Sequence, residues 1–227
     1  MPRIISVIIL ILLAGCATHP TMTSKILEPG EISSGYTLSS ENILPYLWWR
    51  KGISDKSSLG FRIGLPIYGT GLDYSRILYV KENKRDVLNL SWSLNPNYNM
   101  DATYYKFKTK MARSGFLKTR WWGIRGMYIP KGISGGTSTR MGLLYGRQAN
   151  PRWGFEIGYY HDFSSIPITE LFNFGWDPLD SKNKARYGDT PHVDPGSGFP
   201  SEFARLTGLS VMLFFTFDKQ EKNSQSK

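Results

Sequence analysis

Cysteine is nearly missing from this chain of 227 residues, in which Cys16 stands alone. A single cysteine cannot form an intrachain disulfide, and it cannot build the multi-thiolate cluster of a structural zinc site. Histidine is also scarce, with 3 in the chain, and neither His19 nor His192 has the spacing of a metal ligand. The sequence therefore predicts neither a disulfide framework nor a metal centre.

Long apolar runs are absent after the first sixteen residues, so no later stretch reaches the ~20 residues that a membrane helix needs. A membrane protein made from this chain would have to be a closed barrel, which leaves no unpaired backbone in lipid. The G-x-x-x-x-G-K and H-E-x-x-H patterns are absent, and Asp177, Asp180 and Asn183 lack the glycine and closing glutamate of a calcium loop. No cofactor is expected.

The beginning of the chain has the order of a bacterial export signal. Arg3 precedes the apolar run 4–13, which has the length of a signal-peptide core. Residues 13–16 read Leu-Ala-Gly-Cys and resemble the lipobox of bacterial lipoproteins. The resemblance implies that the leader, residues 1–15, is removed and that lipid is attached to Cys16. An ordinary secretory signal with an incidental cysteine is the alternative.

The residues after the lipobox suggest an address in the cell envelope. In Gram-negative lipoproteins an aspartate after the cysteine favours the inner membrane, so Ala17 implies the outer membrane, with the lipid anchor on the periplasmic side. Residues 16–32 contain Pro20, Pro29 and Gly30 among small polar residues. We therefore expect a flexible tether between the acylated cysteine and the folded domain.

The formal net charge of +10 favours contact with anionic surfaces, such as the headgroups of outer-membrane lipid and lipopolysaccharide. Lysine and arginine are scattered along the chain rather than arranged in a stripe. Because the chain is also exported, nucleic acid is not expected as a partner. Envelope proteins are further candidate partners, and the sequence names none of them.

From about residue 33 the chain alternates between apolar and polar or small residues, which is the pattern of β-strands. Turn sequences such as Asn95-Pro96-Asn97 separate the strands. Many short amphipathic strands are typical of a transmembrane barrel, and the chain resembles small outer-membrane β-barrels joined to a lipoprotein leader. We predict an all-β, antiparallel, up-and-down transmembrane barrel over 33–218, with ten strands or eight. The clear strands are 58–67, 86–95, 139–147, 152–162 and 206–217, and the weaker ones are 34–41, 43–52, 72–81, 102–110 and 117–128.

The two faces of these strands differ in composition. Glycine weakens a strand face that is open to water, whereas a narrow lumen needs tiny residues where opposing side chains meet. Arg62, Arg140 and Glu156 share the glycine-bearing face, so we predict that they are lumen charges that pair across the barrel. A lipocalin-like periplasmic barrel, with its apolar face around a lipid ligand, is the alternative. The glycine pairs are Gly60/Gly64, Gly142/Gly146 and Gly154/Gly158, and the predicted interfacial aromatics are Tyr46, Trp48, Trp49, Trp92, Trp121, Trp122, Trp153 and Tyr159.

Two segments depart from the alternation. Residues 163–205 hold five prolines, so we predict a long loop, which parity places on the extracellular side of a barrel with an even number of strands. Residues 219–227 are polar and are expected to be a disordered tail. The prolines are Pro167, Pro178, Pro191, Pro195 and Pro200.

The strand end near residue 162 contains the residue types of a Ser-His-Asp system, namely His161, Asp162 and Ser164. Members of such triads usually come from separate elements, and no family motif surrounds these residues. A solvated strand end is the preferred interpretation, and no catalytic residue is assigned. The leading hypothesis is thus a non-enzymatic envelope protein with a structural or interaction role. A lipid-modifying barrel enzyme is the alternative.

Overall fold

The structure is a computed structural model, and it describes residues 19–39, 42–64, 69–94, 98–111, 117–130, 137–163 and 209–218. Several predicted features lie outside the described residues, namely the leader, Cys16, Ser164, the residues 177–183 that were compared with a calcium loop, and the tail. Of the predicted long loop, only Phe163 is described.

Ten antiparallel strands close into one up-and-down barrel, in which each strand pairs with its neighbours along the chain. The barrel closes between β1 and β10, where Gly35 lies opposite Thr216 and Ser39 opposite Met212. This confirms the predicted all-β barrel and decides for ten strands rather than eight. The strands are β1 (Ile32–Ser39), β2 (Asn42–Ser54), β3 (Ser57–Gly64), β4 (Gly71–Lys81), β5 (Lys84–Ser93), β6 (Met100–Met111), β7 (Leu117–Ile129), β8 (Ser138–Asn150), β9 (Trp153–Asp162) and β10 (Leu209–Thr216).

The period-two alternation separates an inner from an outer face along the described strands. On β9, Gly154, Glu156 and Gly158 are buried. Trp153 and Ile157 are 38% and 44% exposed on the opposite side. The same arrangement holds on β3, where Arg62 is buried between exposed Phe61 and Ile63. The side-chain period of a strand thus places small and polar residues inside and apolar residues outside.

The two ends of the barrel differ in the length of their connections. The short-turn end carries the connections 55–56, 82–83, 112–116 and 151–152, and it also holds the first residue of β1 and the last of β10. The long-loop end carries the connections 40–41, 65–70, 94–99, 130–137 and 163–208. Because the number of strands is even, β1 begins and β10 ends at the same end of the barrel. The longest connection lies at the other end, as the parity argument predicts.

The prediction of an aromatic girdle is wrong for three of its residues. Tyr46, Trp48 and Trp121 point into the barrel and are at most 3% exposed. Their neighbours Trp49 and Trp122 are 40% and 48% exposed on the outer wall. Adjacent tryptophans on one strand necessarily face opposite sides, so each Trp-Trp pair supplies one residue to the lumen and one to the wall.

Candidate functional site

The lumen of the barrel contains part of the chain itself. Residues 19–24, here called the lumen segment, lie before β1, and His19, Thr21, Met22 and Thr23 are all at most 6% exposed. The prediction of a flexible tether over 16–32 therefore does not hold for these residues. Their small polar side chains suggested a solvated linker, but they also suit a narrow lumen lined with polar groups.

The lumen segment is held by hydrogen bonds to several strands. His19 Nδ1 lies 3.2 Å from Asp101 Oδ2 on β6, and its ring packs edge-on against Tyr160 at 5.1 Å between centroids. Thr21 Oγ1 is 2.6 Å from Thr37 Oγ1 and 3.0 Å from the Tyr46 hydroxyl.

Nearer to β1, the backbone of the lumen segment is bound to the wall. Arg85 donates to the Thr23 carbonyl at 3.0 Å, and the Ser24 amide donates to Gln148 Oε1 at 2.7 Å. The chain then leaves the lumen beside Gly52, which exchanges backbone hydrogen bonds with Gly30 and Glu31 at 2.9 Å. These contacts give the backbone of the lumen segment hydrogen-bond partners on the wall.

A charged layer crosses the lumen at β7 and β9. Arg125 donates to Glu156 Oε1 at 3.1 Å and to the hydroxyls of Tyr105 and Tyr160 at 2.6 Å and 2.9 Å. Trp121 Nε1 donates to the second oxygen of Glu156 at 2.8 Å. A buried ion pair needs such additional partners to offset the loss of water, and here both charges have them.

A second charged layer joins β2, β4 and β5. Arg50 donates to Asp73 Oδ2 at 2.5 Å and to Ser75 Oγ at 2.7 Å. Asn89 donates to the same two acceptors at 2.9 Å and 2.8 Å. Arg50 also reaches the Thr21 carbonyl at 3.4 Å, so this layer contacts the lumen segment as well.

The three predicted lumen charges lie on the inner face, but the structure does not bring them together. Arg62 donates to Ser91 at 3.2 Å and to Ser93 at 2.6 Å. Arg140 lies 3.5 Å from Asp162, and Glu156 pairs with Arg125. The partners of each charge lie on an adjacent strand or on the next strand but one, and they do not include the other two predicted charges.

Sequence reasoning missed five charged residues of the lumen, and one of them, Arg85, lies just before the clear strand 86–95. Asp73, Asp101 and Arg125 lie on or beside the strands whose alternation is weaker, and Arg50 lies on a strand of the same kind. Their parity relative to neighbouring inward residues was available as a signal. The partner of each charge was not, because it depends on which strands adjoin across the lumen.

Of the possible Ser-His-Asp system, the structure describes His161 and Asp162, and Ser164 lies outside the described residues. Asp162 accepts a hydrogen bond from Ser138 at 2.7 Å and lies 3.5 Å from Arg140. His161 is buried, and its ring packs edge-on against Phe163 at 4.9 Å. The carboxylate is thus engaged with two side chains of β8.

Glycine makes room for large inward side chains, as the composition predicts. A Cβ atom on Gly146 would collide with the indole ring of Trp121, and one on Gly154 with the ring of Phe214. Trp121 and Phe214 belong to the aromatic core of the lumen. Each ring belongs to the residue paired with the glycine on the neighbouring strand, so these inward glycines mark positions where an aromatic ring lies across the adjacent strand.

The outer wall is apolar around the barrel. Exposed residues include Leu59 on β3, Leu72 on β4, Leu143 on β8 and Val211 on β10, with exposed fractions from 42% to 66%. A lipocalin-type barrel has the reverse arrangement, with its apolar face around an internal ligand. Within the described residues, no helix is long and apolar enough to cross a membrane.

A band of cations interrupts the apolar wall near the short-turn end, on β5 to β8. The register aligns Lys84 with Lys108, Lys108 with Arg120, and Arg120 with Arg147, in one cross-strand row. These four cations occupy outward-facing positions in the alternation of their strands. Beside them, Lys106 Nζ lies 5.9 Å from the centre of the Trp122 ring. Residues scattered in sequence thus meet on one face. The basic band comprises Lys84, Lys106, Lys108, Lys110, Lys118, Arg120 and Arg147.

The described residues contain no cluster of three or more His, Cys, Asp or Glu side chains that could hold a metal ion. No protein-family model matches the chain, and no similar curated protein or solved structure is found. The inference of function therefore rests on the lumen, the outer wall and the basic band.

Proposed function

We propose that this protein is a lipid-anchored β-barrel of the bacterial outer membrane, with a structural or interaction role in the envelope. The observation that carries the proposal is the inversion of the barrel. Polar and charged side chains line the lumen, and each of the ten strands carries large apolar side chains that are exposed on the outer wall. Such a wall is unfavourable in water and suits lipid.

The lipobox supports a second attachment to the same membrane. A single acyl chain binds a bilayer weakly, so stable anchoring needs several chains or a further hold on the membrane. In the proposed protein the lipid on Cys16 and the apolar wall act together. The lumen, which the chain itself occupies, supports a role that needs no open channel.

The test of the proposal is membrane partitioning of a Cys16→Ser variant that is exported by a cleavable signal peptide. The variant is expected to stay with the outer membrane after a carbonate wash, because the strands themselves hold it there. The matched control is the wild-type protein, analysed for lipid on Cys16 by mass spectrometry. Release of the variant as a monodisperse soluble protein would contradict a membrane-embedded barrel and favour the periplasmic alternative.

The basic band supports contact with anionic phospholipid headgroups. Like charges placed directly opposite each other on neighbouring strands are destabilising unless an anion shares them. On this part of the wall, Asp86 lies opposite Lys106 and accepts a hydrogen bond from the Tyr104 hydroxyl at 2.6 Å, whereas the row from Lys84 to Arg147 pairs cation with cation. A groove of about 430 Å³ runs between Lys106, Lys108 and Arg120 beside Trp122. Cations beside an interfacial tryptophan are the arrangement that binds lipid phosphates.

A further inference from the structure

We propose that the chain is threaded through its own barrel, so that the lipid on Cys16 is attached at the long-loop end. This rests on the proposed function for the presence of the lipid, whereas the threading rests on the contacts of the lumen segment alone. It replaces the periplasmic-side anchor that the leader by itself implies.

The contacts of residues 19–31 are ordered along the barrel axis. At residues 30–31 the chain is bonded to Gly52, two residues from the short-turn end of β2. Thr23 contacts Arg85, the second residue of β5 from that same end. His19 contacts Asp101, the second residue of β6 from the long-loop end. The lumen segment therefore crosses the barrel from one end to the other.

The length of the chain before His19 limits where Cys16 can lie. Cys16 lies three positions before His19 in the sequence, and an extended chain spans at most about 11 Å over that separation. From Asp101, β6 continues for ten residues to Met111 at the short-turn end. That distance is about 33 Å along the strand and about 25 Å along the axis of a barrel with a strand tilt of ~40°. Cys16 can therefore reach the long-loop end and cannot reach the short-turn end.

The lumen leaves little space around the lumen segment. His19 and Thr21 are at most 3% exposed, and both are hydrogen-bonded to the wall. A closely packed lumen does not admit a second pass of the chain, and an acylated cysteine is bulkier than the segment itself. The wall must therefore close around the segment as the barrel forms, with the acyl chains already at the far end.

The side of the membrane follows from the asymmetry of the connections. Outer-membrane barrels carry short turns in the periplasm and longer loops outside. With the same orientation here, the short-turn end and the basic band face the periplasmic leaflet. The long-loop end faces outward, and the lipid on Cys16 enters the outer leaflet. The protein is then a lipoprotein whose anchor lies on the cell surface.

Thiol labelling of intact cells tests the position of the anchor. Three single-substitution variants report on three places: Thr18→Cys beside the anchor, Thr137→Cys at the long-loop end and Lys56→Cys in a short turn. Thr137 and Lys56 are both exposed in the structure. A membrane-impermeant maleimide should label Thr18→Cys and Thr137→Cys on intact cells, and Lys56→Cys only after permeabilisation. If Thr18→Cys is labelled only after permeabilisation, as Lys56→Cys is expected to be, the threaded topology is overturned.

The wild-type protein separates this inference from the proposed function. Cys16 is the only native cysteine, so a lipidated chain gives no maleimide signal at all. A signal from the wild type would show that the proposed lipid is absent, while the three variants would still report on threading. Loss of all three variants from the membrane fraction would instead count against the membrane barrel itself.

A disulfide provides a second test of the threading, which holds even if the thiol of Thr18→Cys is shielded from the maleimide. Thr21 and Thr37 have their hydroxyls 2.6 Å apart, and Thr109 and Thr119 form a matched pair within the wall at 3.0 Å. Each pair is replaced by cysteines in the Cys16→Ser background, and disulfide formation is read from mobility on non-reducing gels. Both pairs should close under oxidation. Closure of the wall pair without closure of the Thr21–Thr37 pair would show that the lumen is not occupied by the segment.

Discussion

Arg125 on β7 and Glu156 on β9 form an ion pair inside the lumen, with 3.1 Å between Nη2 and Oε1, although β8 separates their strands. Both side chains are at most 3% exposed. The pair connects the aromatic core of the lumen to the wall, because Glu156 also accepts from Trp121 and Arg125 donates to two tyrosines. It is therefore a sensitive point for measuring how the interior is stabilised.

Glu156→Gln should still allow insertion but should lower the free energy of unfolding by about 3–5 kcal/mol, because it leaves the Arg125 charge without its carboxylate. The double variant Arg125→Met/Glu156→Gln should recover part of that loss, since it removes the uncompensated charge. Urea unfolding in lipid vesicles measures all three proteins. Equal stability of the single variant and the wild type would mean that the pair does not form.

Gly146→Ala and Gly126→Ala are a matched pair of substitutions on adjacent strands. An added methyl group at Gly146 would collide with the Trp121 ring, whereas nothing lies within 4 Å of one at Gly126. We expect Gly146→Ala to destabilise the barrel by about 1–3 kcal/mol, as overpacking does, and Gly126→Ala to change stability little. Thermal unfolding followed by heat-modified mobility on gels distinguishes the two. A larger loss at Gly126 would contradict the assigned faces.

Ile157→Arg places a charge on the outer wall midway along β9. In a bilayer this should cost about 2–4 kcal/mol, and Ile53→Arg near the short-turn end should cost about 0–1 kcal/mol, because the penalty depends on depth. Both isoleucines are exposed, at 44% and 51%, so a barrel in water would tolerate the two changes equally. Unfolding in vesicles provides the comparison. Equal tolerance would argue against a lipid-facing wall.

The exposed pair of Lys25 and Glu31 lies next to the short-turn end and predicts a small acid dependence. The hydrogen bond from Lys25 lowers the pKa of Glu31 below its ordinary value of 4.5. A lowered carboxyl pKa contributes stability above the unfolded-state pKa, and the contribution disappears as the pH falls through the lower folded-state value. Lys25→Met should therefore remove this part of the acid dependence, at a cost below about 1 kcal/mol at pH 7. Unfolding curves of both proteins between pH 7 and about pH 3 test this, and identical pH dependence would show that the pair is not formed.

The basic band should enrich anionic lipid around β5 to β8. Brominated phosphatidylglycerol in mixed vesicles should quench the fluorescence of Trp122, which is defined by difference from Trp122→Phe. The triple variant Lys84→Gln/Lys108→Gln/Arg120→Gln should weaken this preference by roughly 1 kcal/mol per removed charge. Brominated phosphatidylcholine is the control and should quench both proteins alike. Unchanged quenching by the anionic lipid would show that the band does not bind it.

The sequence by itself determined the wall of this barrel. All ten predicted strands are confirmed, with shifts of a few residues at their ends, because alternation is a local property that each strand carries in its own residues. The outward position of Ile157 and the inward position of Gly146 and Arg62 follow from parity along one strand. Turn residues then set the boundaries between strands, and an even strand number sets which end carries the long connection.

The tertiary structure alone decided what lies next to what across the barrel. The partner of Glu156 is Arg125 and not another predicted lumen charge, since pairing across a lumen depends on closure and register. The cations of the basic band are scattered in sequence and adjacent only after four strands align. The lumen segment is the clearest case. His19 lies 82 residues from Asp101 in the chain, and a short polar stretch has no periodicity that distinguishes a tether from a filled lumen.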